Sequence, residues 1–83
     1  MELQKAVNIG KELERQLNEV DIYSFDELKN RGSIDAWLMI KKIDESACLN
    51  RLMALEGAVQ NIRWHSLSKE IKEELREFYY NNK

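Results

Sequence analysis

The chain has 83 residues, of which 43% are hydrophobic and 34% charged, with no proline, three glycines and a formal charge of −2. That length makes residues 1–83 one domain, and that composition excludes a collagen-like repeat, a proline-rich linker and an intrinsically disordered tail. Thirteen basic residues against fifteen acidic ones, spread along the chain, leave no footprint for strong nonspecific nucleic-acid binding, and local basic patches stay open.

Glu2, Lys5, Lys11, Glu12, Glu14 and Arg15 interrupt the amino-terminal segment, so it holds no apolar run of signal-peptide or membrane-spanning length. A soluble cytoplasmic protein is expected. Leu3, Ala6 and Val7 suggest a short first helix, and Asn8-Ile9-Gly10 a turn. After Gly10, Leu13, Leu17 and Val20 recur at i, i+4 and i+7, with Glu12, Glu14, Arg15, Asn18 and Glu19 on the other face.

The clearest helix start is Tyr23-Ser24-Phe25-Asp26-Glu27-Leu28, where Ser24 serves as N-cap, Glu27 completes a capping box and Tyr23 staples onto Leu28. Gly32 supplies a left-handed stop, and Ser33 is expected to cap the next helix at once. That helix carries Ile34, Trp37, Leu38, Ile40 and Ile43 as an apolar face, with Lys41 and Lys42 near its negative end.

From Ser46 to about Asn61 a longer helix is expected, apolar around most of its circumference and therefore central. Its Gly57 costs roughly 1 kcal/mol relative to alanine, which a neighbouring helix packed on its backbone would explain. The last helix begins near Ser68 and sets Ile71, Leu75, Phe78 and Tyr79 opposite Lys69, Glu70, Glu73, Glu74 and Glu77. No segment sustains the two-residue alternation of a strand. The fold class is all-α, a compact bundle of five to six short helices.

From Val7 to Trp37 the chain reads as turn, helix, hairpin loop and capped short helix, which resembles a helix-hairpin-helix unit. Such units hold nucleic-acid backbones through a G-h-G turn whose N–H groups meet a phosphate. Here Asn8 takes the first glycine position and Gly10 the second. Two readings follow. In one, Gly10 and the N–H groups after it contact a phosphate, with Lys5, Asn8 and Lys11 beside them. In the other, Gly10 permits a tight turn, and Glu12 and Glu14 satisfy the positive helix end and repel phosphate.

The run Cys48-Leu49-Asn50-Arg51-Leu52-Met53-Ala54-Leu55-Glu56-Gly57-Ala58, followed by Trp64 and Leu67, resembles the signature of the TfoX C-terminal domain family. Asn8-Ile9-Gly10, Ile22-Tyr23-Ser24, Leu28 and Gly32 fall in the expected order. The resemblance spans nearly the whole chain. It implies a small helical domain related to helix-hairpin-helix folds, found at the C-terminus of TfoX regulators of natural competence and also alone. Because the full regulators add a separate N-terminal domain, their whole function is not expected to transfer.

Cys48 and His65 are the soft-ligand or nucleophile candidates, and neither has a second group at a recognised spacing. Cys48 reads as a small buried residue of the central helix, unable to form an internal disulfide. Glu56 reads as paired with an arginine or capping a helix end, and Asn50 as exposed, paired or solvated. No catalytic, metal or cofactor site is expected. The leading expectation is a non-catalytic binding or regulatory module that contacts a protein partner or itself. Nucleic-acid backbone binding around Gly10, and a structural dimerising domain, are the alternatives.

Overall fold

Amphipathic spacing becomes five α-helices in the computed structural model, which describes residues 2–83 and, of Gln4, the backbone only. A 3-10 turn over Leu3–Lys5 leads into α1 (Lys11–Glu19), α2 (Phe25–Arg31), α3 (Ser33–Ile43) and α4 (Leu49–Gln60). A second 3-10 turn, Trp64–Ser66, precedes α5 (Lys69–Asn82). Among the described residues the one extended pairing is an isolated bridge between Glu2 and Ser24, which ties the amino terminus to the start of α2. Among the described residues no helix is long and apolar enough to cross a membrane.

The apolar stripes converge on α4. Leu52, Leu55 and Ala58 are fully buried there, and α2, α3, α5 and the second 3-10 turn all pack against it. Leu13 and Leu17 bury α1 against α3 and the first 3-10 turn. Trp37, expected in the core, is completely buried, and its Nε1 donates to the Cys48 carbonyl at 3.2 Å. A buried indole N–H thereby finds its acceptor. Phe78 and Tyr79 of α5 meet the Trp37 ring edge-on, with centroids 5.9 and 5.8 Å away.

Two helices close through a left-handed residue other than glycine. After α1, Asp21 takes φ 66°, its N–H bonds Asn18 and the Ile22 N–H returns to the Leu17 carbonyl at 2.8 Å. After α4, Asn61 takes φ 60° and Ile62 N–H returns to the Gly57 carbonyl at 2.9 Å. Both are Schellman closures with a short polar residue where glycine is usual. The first delivers Ile22 to the core, whereas Tyr23 is 59% exposed and its hydroxyl donates to Asp21.

Several local expectations are corrected by competing interactions. Ser24 does accept from the Glu27 N–H at 3.2 Å, but Glu27 reaches back to the N–H of Tyr23 rather than of Ser24. Gly32, at φ 88° and ψ 157°, ends α2 and caps α3 itself, so Ser33 is the first residue of α3 and not its cap. Ile34 and Ile43 face outward rather than into the core. Helix α4 starts at Leu49 because Asp44 captures Ser46: its Oδ1 accepts from both the N–H and the hydroxyl of Ser46 in an Asx-type turn. Cys48 is consequently the N-cap of α4, and it is exposed rather than buried.

Candidate functional site

At the hairpin, Asn8 adopts a left-handed φ of 72°, a conformation that glycine or asparagine fills most readily. Its side chain turns inward. Nδ2 donates to the Ile62 carbonyl at 2.9 Å and to the Ala54 carbonyl at 3.4 Å, while Oδ1 accepts from the Trp64 N–H at 3.3 Å. The carboxamide therefore ties the first turn of the chain to α4 and to the segment after it. Gly10 caps α1 without a side-chain hydrogen bond, and both it and Lys11 are exposed. Lys5 is exposed as well, 3.9 Å from Glu2. Glu12 pairs with Arg15, whose hydrogen bond holds the Glu12 carboxyl below its ordinary value. Of the four hairpin candidates, then, Lys5, Gly10 and Lys11 face solvent and Asn8 is an internal tie.

The motif residues of α4 meet the rest of the bundle at two joints. At Gly57 the neighbours are the Asn8 carboxamide and the backbone of Ile62 and Trp64, not another helix. Glu56 finds no arginine: its Oε1 accepts from the Ser33 hydroxyl at 2.6 Å and its Oε2 from Gln60 at 2.6 Å. Ser33 is 4% exposed, so the Glu56 carboxylate satisfies a buried hydroxyl at the start of α3. Glu56, Gly57 and the backbone of Trp64 thus lie at these two joints, while Asn50 is exposed at the first turn of α4.

A polar hub that the sequence reading missed joins α1, α3 and α4. Asp44 Oδ2 accepts from Gln16 Nε2 at 2.8 Å and from Arg51 at 3.0 Å. Hydrogen bonds from the Ser46 hydroxyl and N–H, then from Arg51 and Gln16, hold its carboxyl well below the usual carboxylate range. Gln16 is 3% exposed, and its Oε1 has no hydrogen-bond partner among the described residues. Cys48 and His65 form no such cluster. The His65 ring stacks on Trp64 at 3.9 Å, and among the described residues no group of three or more His, Cys, Asp or Glu could hold a metal ion.

The surface is more eventful between α3 and the end of α5. A cleft there is lined by Leu38, Lys41, Lys42, Glu45, Asn82 and Lys83. Lys41 lies over the Trp37 ring, 5.5 Å from its centroid, and Lys83 over the Tyr80 ring at 4.8 Å. Tyr80 itself is 58% exposed and meets Tyr79 edge-on. In the sequence Lys41 and Lys42 read as partners of the α3 dipole, and Phe78 and Tyr79 as part of the apolar face of the last helix. Their convergence depends on how α3 and α5 pack, which no local signal encodes. A second hollow, between the end of α1 and the α2–α3 corner, carries Asp21, Glu27 and Asp35 with Arg31.

The model of the TfoX C-terminal domain family matches residues 1–79. Two crystal structures from Listeria monocytogenes share the fold. One, an uncharacterized protein in a triclinic form, is 46% identical, with a TM-score of 0.96 over 98% of this chain and 92% of that one. The other, a protein of unknown function in a tetragonal form, is 47% identical, with a TM-score of 0.90 over 92% of this chain and 93% of that one. No match is found among curated proteins.

Proposed function

This chain belongs to the TfoX C-terminal domain family, and from that premise we propose that it is a cytoplasmic, non-catalytic binding module acting through protein contacts in a regulatory system. The observation that supports this reading is the cleft between α3 and α5, lined by Leu38 and three lysines, one of which, Lys83, lies over the exposed Tyr80 ring. Apolar and aromatic surface left outside the core of so small a domain is where a partner gains most from burial. Two polar residues of the family motif, Asn8 and Glu56, are meanwhile occupied by hydrogen bonds within the bundle. A link to competence regulation rests on the family alone.

A photo-crosslinking amino acid placed in turn at Leu38, Tyr80, Asp26 and Glu73 tests the reading in cells. Protein adducts from Leu38 and Tyr80, and none from Asp26 or Glu73, are expected. Adducts to nucleic acid alone, or none at any position, would overturn it.

A second reading, phosphate contact at the hairpin, has one observation in its favour: Gly10 leaves the first N–H groups of α1 without a side-chain cap. It predicts salt-dependent DNA or RNA binding that Lys11→Glu abolishes, and no binding at low salt would end it. Size exclusion tests the third, structural dimerisation.

A further inference from the structure

We propose that the cleft between α3 and α5 receives an acidic amphipathic helix of another protein. This rests on the reading of the domain as a protein-binding module, and it adds the chemistry of the partner.

Charge is the first argument. Three of the six lining residues are lysines and one is a glutamate, on a chain whose formal charge is −2. Among the described residues no carboxylate pairs with Lys41, Lys42 or Lys83. Two of these ammonium groups are instead held over aromatic rings, Lys41 over Trp37 and Lys83 over Tyr80. A cation stationed over a ring keeps its full charge for an incoming anion, and it loses little side-chain freedom on pairing. Carboxylates cluster around Asp21, Glu27 and Asp35 and along α1, while on α5 Glu70, Glu73, Glu74 and Glu77 stay outside the cleft lining and Glu45 is its one acidic side chain.

Shape is the second argument. Both α3 and α5 pack on α4, and near the cleft they meet each other through Trp37 with Phe78 and Tyr79. On α3, Ile34, Leu38 and Lys41 recur at helical spacing along one face, with Ile34 39% exposed and Leu38 and Lys41 half-buried, and Glu45 follows just beyond the helix end. An apolar stripe flanked by cations and bordered by a second helix matches the apolar face of a docking helix whose margins are acidic. A phosphate backbone offers no apolar face to set against Ile34 and Leu38, so the lysines and these aliphatic side chains together favour a protein segment.

The test uses the whole 83-residue chain and a fluorescent designed peptide. The peptide is helix-forming, with leucine at i, i+3 and i+7 and glutamate on its margins. Its controls are the same peptide with lysine for glutamate, and a short single-stranded DNA. The acidic peptide is expected to bind, to weaken as salt rises, and to shift backbone amide resonances around Leu38 to Glu45 and Phe78 to Lys83. K41E/K42E, at surface positions, is expected to lower its affinity at least tenfold while creating affinity for the basic peptide. L38A is expected to weaken binding of the acidic peptide without altering its salt dependence.

Equal binding of acidic and basic peptides, no binding at millimolar peptide, shifts outside the cleft, or tighter binding of the DNA would each overturn the proposal. If photo-crosslinks from Leu38 and Tyr80 still trap protein while the acidic preference fails, the partner chemistry falls and the binding module stands. If neither is seen, both fall.

Discussion

The carboxamide of Asn8 fills the space over Gly57 that any larger side chain at 57 would need. A Cβ there would overlap Asn8 Nδ2 and lie 2.8 Å from the Ile62 carbonyl oxygen and 3.0 Å from the Trp64 Cα. Alanine would gain about 1 kcal/mol of helix propensity. Overpacking against backbone costs about 1–3 kcal/mol, so G57A is expected to be destabilising on balance. N8G keeps the left-handed φ but loses the carboxamide's three hydrogen bonds, at about 1 kcal/mol each. The two should couple, since N8G removes part of what the new methyl strikes. In urea denaturation, N8G/G57A is expected to fall short of the summed losses by at least about 0.5 kcal/mol, and strict additivity would refute the contact.

At the second joint the Ser33 hydroxyl donates to Glu56 across α3 and α4. Removing the buried donor and removing the acceptor are unequal changes. S33A leaves the half-buried carboxylate still bonded to Gln60, and a loss of about 1 kcal/mol is expected. E56L strands a buried hydroxyl and should cost more, about 2 kcal/mol. E56Q retains an acceptor and should fall below both. Thermal unfolding of the three variants checks the order, and an unchanged melting temperature for E56L would count against the joint.

Much of the core was legible because burial follows helical period: Leu13, Leu17, Trp37, Leu52, Leu55 and Leu75 all lie where their stripes put them. Ser24 was legible as a cap, and Ser68 as the neighbourhood where the last helix starts, because the N–H groups that they accept from, those of Glu27 and Ile71, are three residues away. What failed had a nearer or a much more distant competitor. Ser46 was taken by Asp44 two residues before it, and Ser33 was displaced by the backbone of Gly32 next to it. The end of the central helix near Asn61 was legible, whereas Asp21 closed α1 in a left-handed conformation with no glycine to mark it. The neighbour of Gly57 and the cleft beside Leu38 join residues more than forty positions apart, and a single sequence carries no local trace of either.

Gly32 joins two helices with no intervening residue, and its φ of 88° with ψ of 157° lies where side-chain-bearing residues are strained. No atom crowds the position. G32A should therefore destabilise through backbone strain alone, by about 1–3 kcal/mol. Replacement by D-alanine in a synthetic chain should restore most of it, since the mirror-image residue favours positive φ. If both alanines are equally harmful, the strain account is wrong.

Cys48 occupies the N-cap of α4 in solvent while its carbonyl holds the Trp37 indole. Ellman's reagent should accordingly titrate one thiol in the native protein as fast as in urea. A thiol that reacts only on unfolding would contradict its exposure. Alkylation is expected to leave the Trp37 fluorescence little changed, because the indole contacts the backbone of residue 48 and not its sulfur.

Asp44 gathers four donors on two oxygens: the N–H and hydroxyl of Ser46, Gln16 and Arg51. These bonds favour the charged carboxylate, so its folded value lies below the ordinary 3.8. A depressed carboxyl contributes stability that is fully present above its unfolded value and is lost as pH falls towards the folded one. The contribution should therefore be constant near neutrality and fade from about pH 5 downward. D44N keeps the size of the side chain but presents one acceptor oxygen and an NH2 group to Arg51. Comparing its urea midpoint with that of the unaltered protein cancels carboxylates common to both, Glu12 included. The difference is expected to hold between about pH 6 and 8 and to shrink below about pH 4. High salt should reduce it only in part, since Asp44 and Arg51 side chains are 27% and 24% exposed. A difference that stays constant or grows in acid would show that the hub gains nothing from its charge.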